Sequence, residues 1–66
     1  MTIKIPRFKL SPHPKFKYWV MEDQLNSGPK YFMDRRDLYE LMANIALQVG
    51  NPKLQEIIRE EASHAK

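Results

Sequence analysis

The sequence has no cysteine, only two glycines and no long apolar run. Without cysteine the chain has no disulfide framework, no thiolate metal site and no thiol nucleophile, so we expect a reducing, cytoplasmic setting. Gly28 and Gly50 are too few and too far apart for a glycine-rich phosphate loop. Because the longest apolar run covers only residues 18–21, we expect neither a membrane span nor a secretory signal.

Residues with catalytic chemistry are also sparse. Ser63 and His64 are neighbours, but on a helix their side chains point about 100° apart and do not form a dyad. Glu56 and Glu60 share a helix face, which we interpret as a solvated acidic surface and not as a metal site. We therefore predict that the chain is not an enzyme and that it uses no cofactor or metal.

The chain has 66 residues, which we assign to a single small domain with a formal net charge of +3. Residues 1–17 carry five basic side chains and no acid, whereas residues 18–66 carry six basic and eight acidic side chains. A basic first segment on a mildly acidic body is typical of a chain that meets a polyanion or an acidic protein surface through one end.

The first half of the chain predicts short antiparallel strands. We interpret residues 1–14 as a basic, proline-containing arm or as a bulged edge strand, because the apolar and basic alternation changes phase at Pro6. Residues 15–33 predict a β-hairpin: aromatic and β-branched residues alternate over residues 15–22, and turn-forming residues follow over 23–29.

Alternation within residues 15–22 predicts which side chains are buried. Phe16, Tyr18 and Val20 share one face, which we expect to pack under the helices. The other face carries two lysines, and burying two unpaired ammonium groups would cost more than the stability of so small a domain. We therefore expect that face to lie outside as a partner-binding surface, made of Lys15, Lys17, Trp19 and Met21.

Residues 34–65 predict an α-helical hairpin. Asp34 is placed to cap the first helix, Gly50 supplies the left-handed residue that ends it, and Asn51 with Pro52 begins the second. Helical spacing predicts one buried stripe on the first helix, formed by Leu38, Leu41, Met42, Ile45 and Val49. The predicted fold class is α+β, with two or three short antiparallel strands packed against the helical hairpin.

The first predicted helix also carries apolar residues outside that stripe. Tyr39 and Leu47 lie on a second row, which either packs against a neighbouring element or contacts a partner protein or a second copy of the chain. We predict both as partner-binding residues. Two arginines open the helix against its dipole, where they are solvated or pair with an acid. The predicted contacts to an anionic partner are Lys4, Arg7, Lys9, Arg35 and Arg36.

These features favour a non-enzymatic intracellular binding module, an adaptor or inhibitor that docks on a larger protein. A chain of this size has no room for both a core and a substrate pocket of a few hundred Å3, so occluding a partner's site suits it. The alternative is a nucleic-acid-binding protein that uses the basic arm and residues 15–19, where lysines alternate with aromatic residues. A homodimer through the first helix is a further alternative.

Overall fold

The computed structural model describes residues 2–25 and 30–64, in which four strands precede two helices. The predicted α+β class and helical hairpin are confirmed, but the sheet has four strands where two or three were expected. Residues 26–29 of the turn predicted over 23–29, and the predicted helix end at residue 65, lie outside the described residues. The elements are β1 (Ile3–Ile5), β2 (Phe8–Pro12), β3 (Trp19–Asp23), β4 (Tyr31–Met33), α1 (Arg35–Gln48) and α2 (Pro52–His64).

The strands form one antiparallel sheet in the order β1-β2-β3-β4. β1 turns into β2 at Pro6 and Arg7, which places Ile5 opposite Phe8. Arg7 has a φ of 79°, and a proline followed by a residue of positive φ is the pattern of a type II turn. Of the two predictions for residues 1–14, the edge strand agrees with β1, whereas the bulge and the arm are corrected. The phase change at Pro6 marks a tight hairpin, in which β1 is the edge and β2 is a central strand.

The turn at Arg7 is held by Asp23 at the end of β3. The Nε and Nη2 atoms of Arg7 donate to the two carboxylate oxygens of Asp23 at 3.0 and 2.9 Å. The N–H of Gln24 donates to the Arg7 carbonyl at 2.7 Å. The hydrogen bond to Asp23 raises the pKa of the Arg7 guanidinium, partial burial opposes that effect, and the charge of Asp23 adds to it. Arg7 is thus a charged structural residue across the neutral pH range.

Both helices pack on one face of the sheet, which we name the inner face. In each paired strand, side chains directly opposite each other share a face, so Ile5, Phe8, Leu10 and Met21 all lie on it. Leu54 and Ile58 of α2 complete a core built from both layers. The buried members of this core are Ile5, Phe8, Leu10, Met21, Leu38, Tyr39, Met42, Ala46, Leu54 and Ile58.

The buried stripe of α1 differs from the predicted one. Leu38 and Met42 are buried as expected, but Leu41 and Ile45 are only partly buried and Val49 is exposed. Instead, Tyr39 and Ala46 join the core. The helix is rotated toward Tyr39, because an aromatic ring removes more apolar area from water than the smaller residues at the margin of the stripe.

The junction between the helices follows the sequence signals. Gly50 has a φ of 71°, which glycine adopts without strain. It lies directly after Val49, the C-cap residue of α1. The side-chain oxygen of Asn51 accepts from the N–H of Leu54 at 3.1 Å, and Pro52 is the first residue of α2. Asp34 occupies the N-cap position of α1, although its side chain makes no capping hydrogen bond.

We predict that Met42→Ala lowers the free energy of unfolding by about 2 to 5 kcal/mol, because the Met42 side chain is completely buried between the layers. Leu47→Ala, on an exposed position of the same helix, should change it by less than about 0.5 kcal/mol. Urea denaturation followed by circular dichroism measures both. Equal effects of the two substitutions would contradict the described packing of α1.

The turn at Arg7 generates a second stability prediction. Arg7→Gly and Arg7→Ala both remove the ion pair with Asp23, but only alanine keeps a side chain in the left-handed region. That conformation costs an L-residue about 1 to 2 kcal/mol. This cost exceeds the free energy that is lost when the more flexible glycine backbone is ordered on folding. The glycine variant should therefore be the more stable of the two, by about 0.5 kcal/mol or more, in urea denaturation. An alanine variant at least as stable would show that residue 7 does not need a positive φ.

Candidate functional site

The side of the sheet opposite the helices, which we name the outer face, groups basic and aromatic side chains. Lys4 faces Lys9 across β1 and β2, and Lys9 faces Glu22 across β2 and β3. Lys30, just before β4, extends this row and pairs with Glu22 at 3.1 Å. The next row on this face lies two residues further along the strands, and Cα atoms of the two rows are about 7 Å apart. It consists of Ser11, Val20 and Phe32.

The loop over residues 13–18 continues this face beyond the strands. The N–H of His13 donates to the carbonyl of Tyr18 at 2.8 Å, which closes the loop. Inside it, the Nδ1 atom of His13 accepts from the backbone N–H groups of Lys15 and Phe16 at 3.0 and 3.2 Å. His13 therefore fixes the backbone that carries Phe16, while Lys15 and Lys17 lie exposed in the loop and not in a strand.

Four aromatic rings form a continuous row on the outer face. The ring centroids of Tyr18 and Phe16 are 6.3 Å apart, those of Phe16 and His13 5.1 Å, and those of His13 and Phe32 5.9 Å. The exposed fractions of Phe16, Tyr18 and Phe32 are 63%, 51% and 54%. The core cluster contains none of these rings. They form an apolar, accessible strip beside the row of lysines, which is the kind of patch that marks a binding surface.

The expectation that Trp19 and Met21 point outward is wrong. Met21 is fully buried, and Trp19 is partly buried against the core on the inner face. The parity argument failed because β3 begins at Trp19. Since Lys15 and Lys17 lie in the loop, their charges place no constraint on the face that Trp19 occupies.

Tyr39 is also a core residue, with an exposed fraction of 2%, so its predicted role as a partner contact is corrected. The Cζ atom of Arg35 lies 5.2 Å from the ring centroid of Trp19 and 5.7 Å from that of Tyr39. The cation–π contact with Trp19 joins the start of α1 to the sheet, and the one with Tyr39 lies within α1. The Nε atom of Arg35 and the hydroxyl of Tyr39 are buried without a hydrogen-bond partner. Leu47, by contrast, is exposed.

The predicted anion contacts divide into structural and accessible residues. Arg7 is ion-paired with Asp23, and Arg35 lies against the two aromatic rings. Arg36 is exposed and lines an open cleft of about 460 Å3 between α1 and α2, so the expectation that no cavity of a few hundred Å3 fits beside the core is corrected. Lys4 and Lys9 lie on the outer face. The structure thus brings two of the five predicted anion contacts together with the exposed rings.

Sequence reasoning missed Phe16, Tyr18 and Phe32 as surface residues. Pro14 disfavours a regular ladder, so it was the available signal that the chain forms a loop before β3. For Phe32 no local signal existed, because it lies in the run from Tyr31 to Met33 and its face depends on pairing with β3.

Comparison with protein-family models, with curated proteins and with solved structures finds no match for this chain. Over residues 2–25 and 30–64, no helix has the length and apolar character needed to cross a membrane. In the same part of the chain, no group of three or more histidine, aspartate or glutamate side chains could hold a metal ion.

We predict that Trp19→Ala lowers the free energy of unfolding by about 2 kcal/mol, because Trp19 packs against the core and under Arg35. Phe16→Ala should change it by less than about 0.5 kcal/mol, since Phe16 is outside the core and mostly exposed. Thermal melts of both variants measure the difference. A stable Trp19 variant beside an unfolded Phe16 variant would restore the opposite assignment of faces.

Proposed function

We propose that this chain is a non-enzymatic, intracellular nucleic-acid-binding protein and that its binding surface is the outer face of the sheet. The observation that supports this most directly is the placement of exposed aromatic rings beside lysines on one uncovered sheet face. Aromatic faces stack on bases, and lysine ammonium groups neutralise phosphates. A cytoplasmic setting belongs to the same proposal, since the chain has no cysteine.

Charge distribution supports a polyanionic partner on this side of the molecule. Residues 1–33, which include the sheet, carry six basic and two acidic side chains, a net charge of +4. Residues 34–66, which include the helices, carry five basic and six acidic side chains, a net charge of −1. Asp23 pairs with Arg7 and Glu22 pairs with Lys30, so both acids of the first half are engaged. An approaching polyanion is attracted to the sheet side.

The pairing of Lys4 with Lys9 gives further support. Like charges directly opposite each other across two strands destabilise a sheet. The described contacts offer Lys4 no compensating acid, and Glu22, opposite Lys9, is paired with Lys30. A bound phosphate near both ammonium groups would remove the repulsion. The fold thus retains an arrangement that an anion stabilises.

A larger protein partner is the second candidate. Fewer of its predicted contact residues are exposed than the sequence indicated. Its expected anchors Trp19, Met21 and Tyr39 are packed with the core. The observation that favours it is the exposure of Leu47 and Val49 near the end of α1, with exposed fractions of 62% and 54%. An adaptor, inhibitor or homodimer contact through these two side chains remains a proposal of its own.

We expect the double variant Lys4→Gln, Lys9→Gln to bind a fluorescently labelled oligonucleotide more weakly and with a smaller salt dependence. For a single strand, the slope of log K against log salt should shrink by about 0.7 for each lost phosphate contact, or about 1.4 for both. Fluorescence anisotropy over a series of salt concentrations measures the slope. The variant should fold normally, because it removes a repulsive pair.

Lys53→Gln is the matched control, because Lys53 is an exposed lysine on α2, in the other layer. Its slope and affinity should equal those of the parent. If the chain binds neither single strands nor duplexes at low salt, the proposed function is wrong. Equal losses of affinity in the control and in the double variant would show that the oligonucleotide does not bind at the outer face.

A further inference from the structure

The row of rings has a geometry that a nucleic acid base could use. Neighbouring centroids lie 5.1 to 6.3 Å apart with interplanar angles of 44° to 65°, so the rings support one another at their edges. Phe16 and Phe32, which contact His13 from two sides, nevertheless remain more than half exposed. Each therefore presents an apolar surface to whatever lies on the sheet.

Lysines flank this row on two sides. Lys4, Lys9 and Lys30 lie on the strand side of the rings, about 7 Å from the row that contains Phe32. Lys15 and Lys17 lie on the loop side, next to Phe16 in the chain. A sugar–phosphate backbone that follows either group of lysines leaves its bases within reach of the rings.

We infer that the outer face binds single-stranded nucleic acid, with unpaired bases stacked on Phe16 and Phe32 and the backbone held by the flanking lysines. This inference rests on the proposed function and narrows it to one class of nucleic acid. In a duplex, each base is stacked on its neighbours and paired with its complement, so its faces are not accessible to side chains on a sheet. The lysines could bind either form, but the rings can contribute only to a single strand.

His13 holds the loop in this arrangement. Its Nδ1 atom accepts two backbone N–H groups, and its ring lies between those of Phe16 and Phe32. The loop is thus held with Phe16 beside the sheet before any ligand arrives. Such preorganisation reduces the ordering cost of binding.

The test uses the whole chain, a labelled oligothymidine of about 12 nucleotides, and a duplex of the same length, at low salt in fluorescence anisotropy. Phe32→Leu and Phe16→Leu remove the aromatic face but keep an apolar side chain over the sheet, so the fold is retained. Each should weaken binding to the single strand by about tenfold or more and leave duplex binding unchanged. Leu47→Ala, an exposed apolar residue on α1, should alter neither.

Nuclear magnetic resonance of the unmodified chain gives a readout that needs no variant. The ring protons of Phe16 and Phe32 should shift on titration with oligothymidine and not with heparin, a polyanion that has no bases. Equal affinities for single strand, duplex and heparin, with no loss in the leucine variants, would overturn this inference while leaving polyanion binding intact. No binding to any of the three would overturn both the inference and the proposed function, and would favour the protein partner.

Discussion

The ion pair between Arg7 and Asp23 ties the first turn of the chain to the end of the third strand. Arg7 lies in a left-handed conformation that an arginine adopts at a cost, and two hydrogen bonds to Asp23 hold it there. The turn decides that Ile5 lies opposite Phe8, and Phe8 in turn lies opposite Asp23. A slip of one residue would move every apolar side chain of β1 or β2 to the other face. The composition of both faces of the sheet therefore depends on the register of this hairpin, which the contact with Asp23 stabilises.

Because the chain is short, its helices cover one face of the sheet and leave the other exposed. Two helices of 14 and 13 residues cover the inner face, and no further helix is present in the described residues to cover the other. A domain of this size buries a smaller fraction of its surface than a larger one, so some large side chains stay in water. Three of those side chains, Phe16, Tyr18 and Phe32, lie together on the outer face, whereas Val20 beside Phe32 is shielded within the sheet.

Sequence reasoning succeeded where the signals are local. Gly50, Asn51 and Pro52 each have a conformational or capping preference that acts within one turn of helix, and the helical hairpin follows from them. It failed for Trp19, because its face depends on where the strand begins and on pairing with β2. It failed for Tyr39 as well, because two apolar rows on α1 compete for the sheet and only packing decides between them.

The proposed binding surface shows the same division. The sequence brings lysines and aromatic residues together in the segment from 15 to 19, but they were divided between faces as though the whole segment were a strand. Pro14 and the hydrogen bonds of His13 make part of it a loop. The resulting surface joins Phe16 to Phe32, which are far apart in the chain, and only the sheet brings them near His13.

The two edges of the sheet affect how copies of the chain meet in concentrated solution. β1 and β4 are the edge strands, and each is only three residues long. An incoming strand would find few free backbone groups on either edge, and on β1 it would meet the exposed Lys4 in the middle of the strand. Short edges that carry a lysine discourage strands from adding to a sheet. The fold can thus expose an aromatic sheet face and still resist growth into fibrils through its edges.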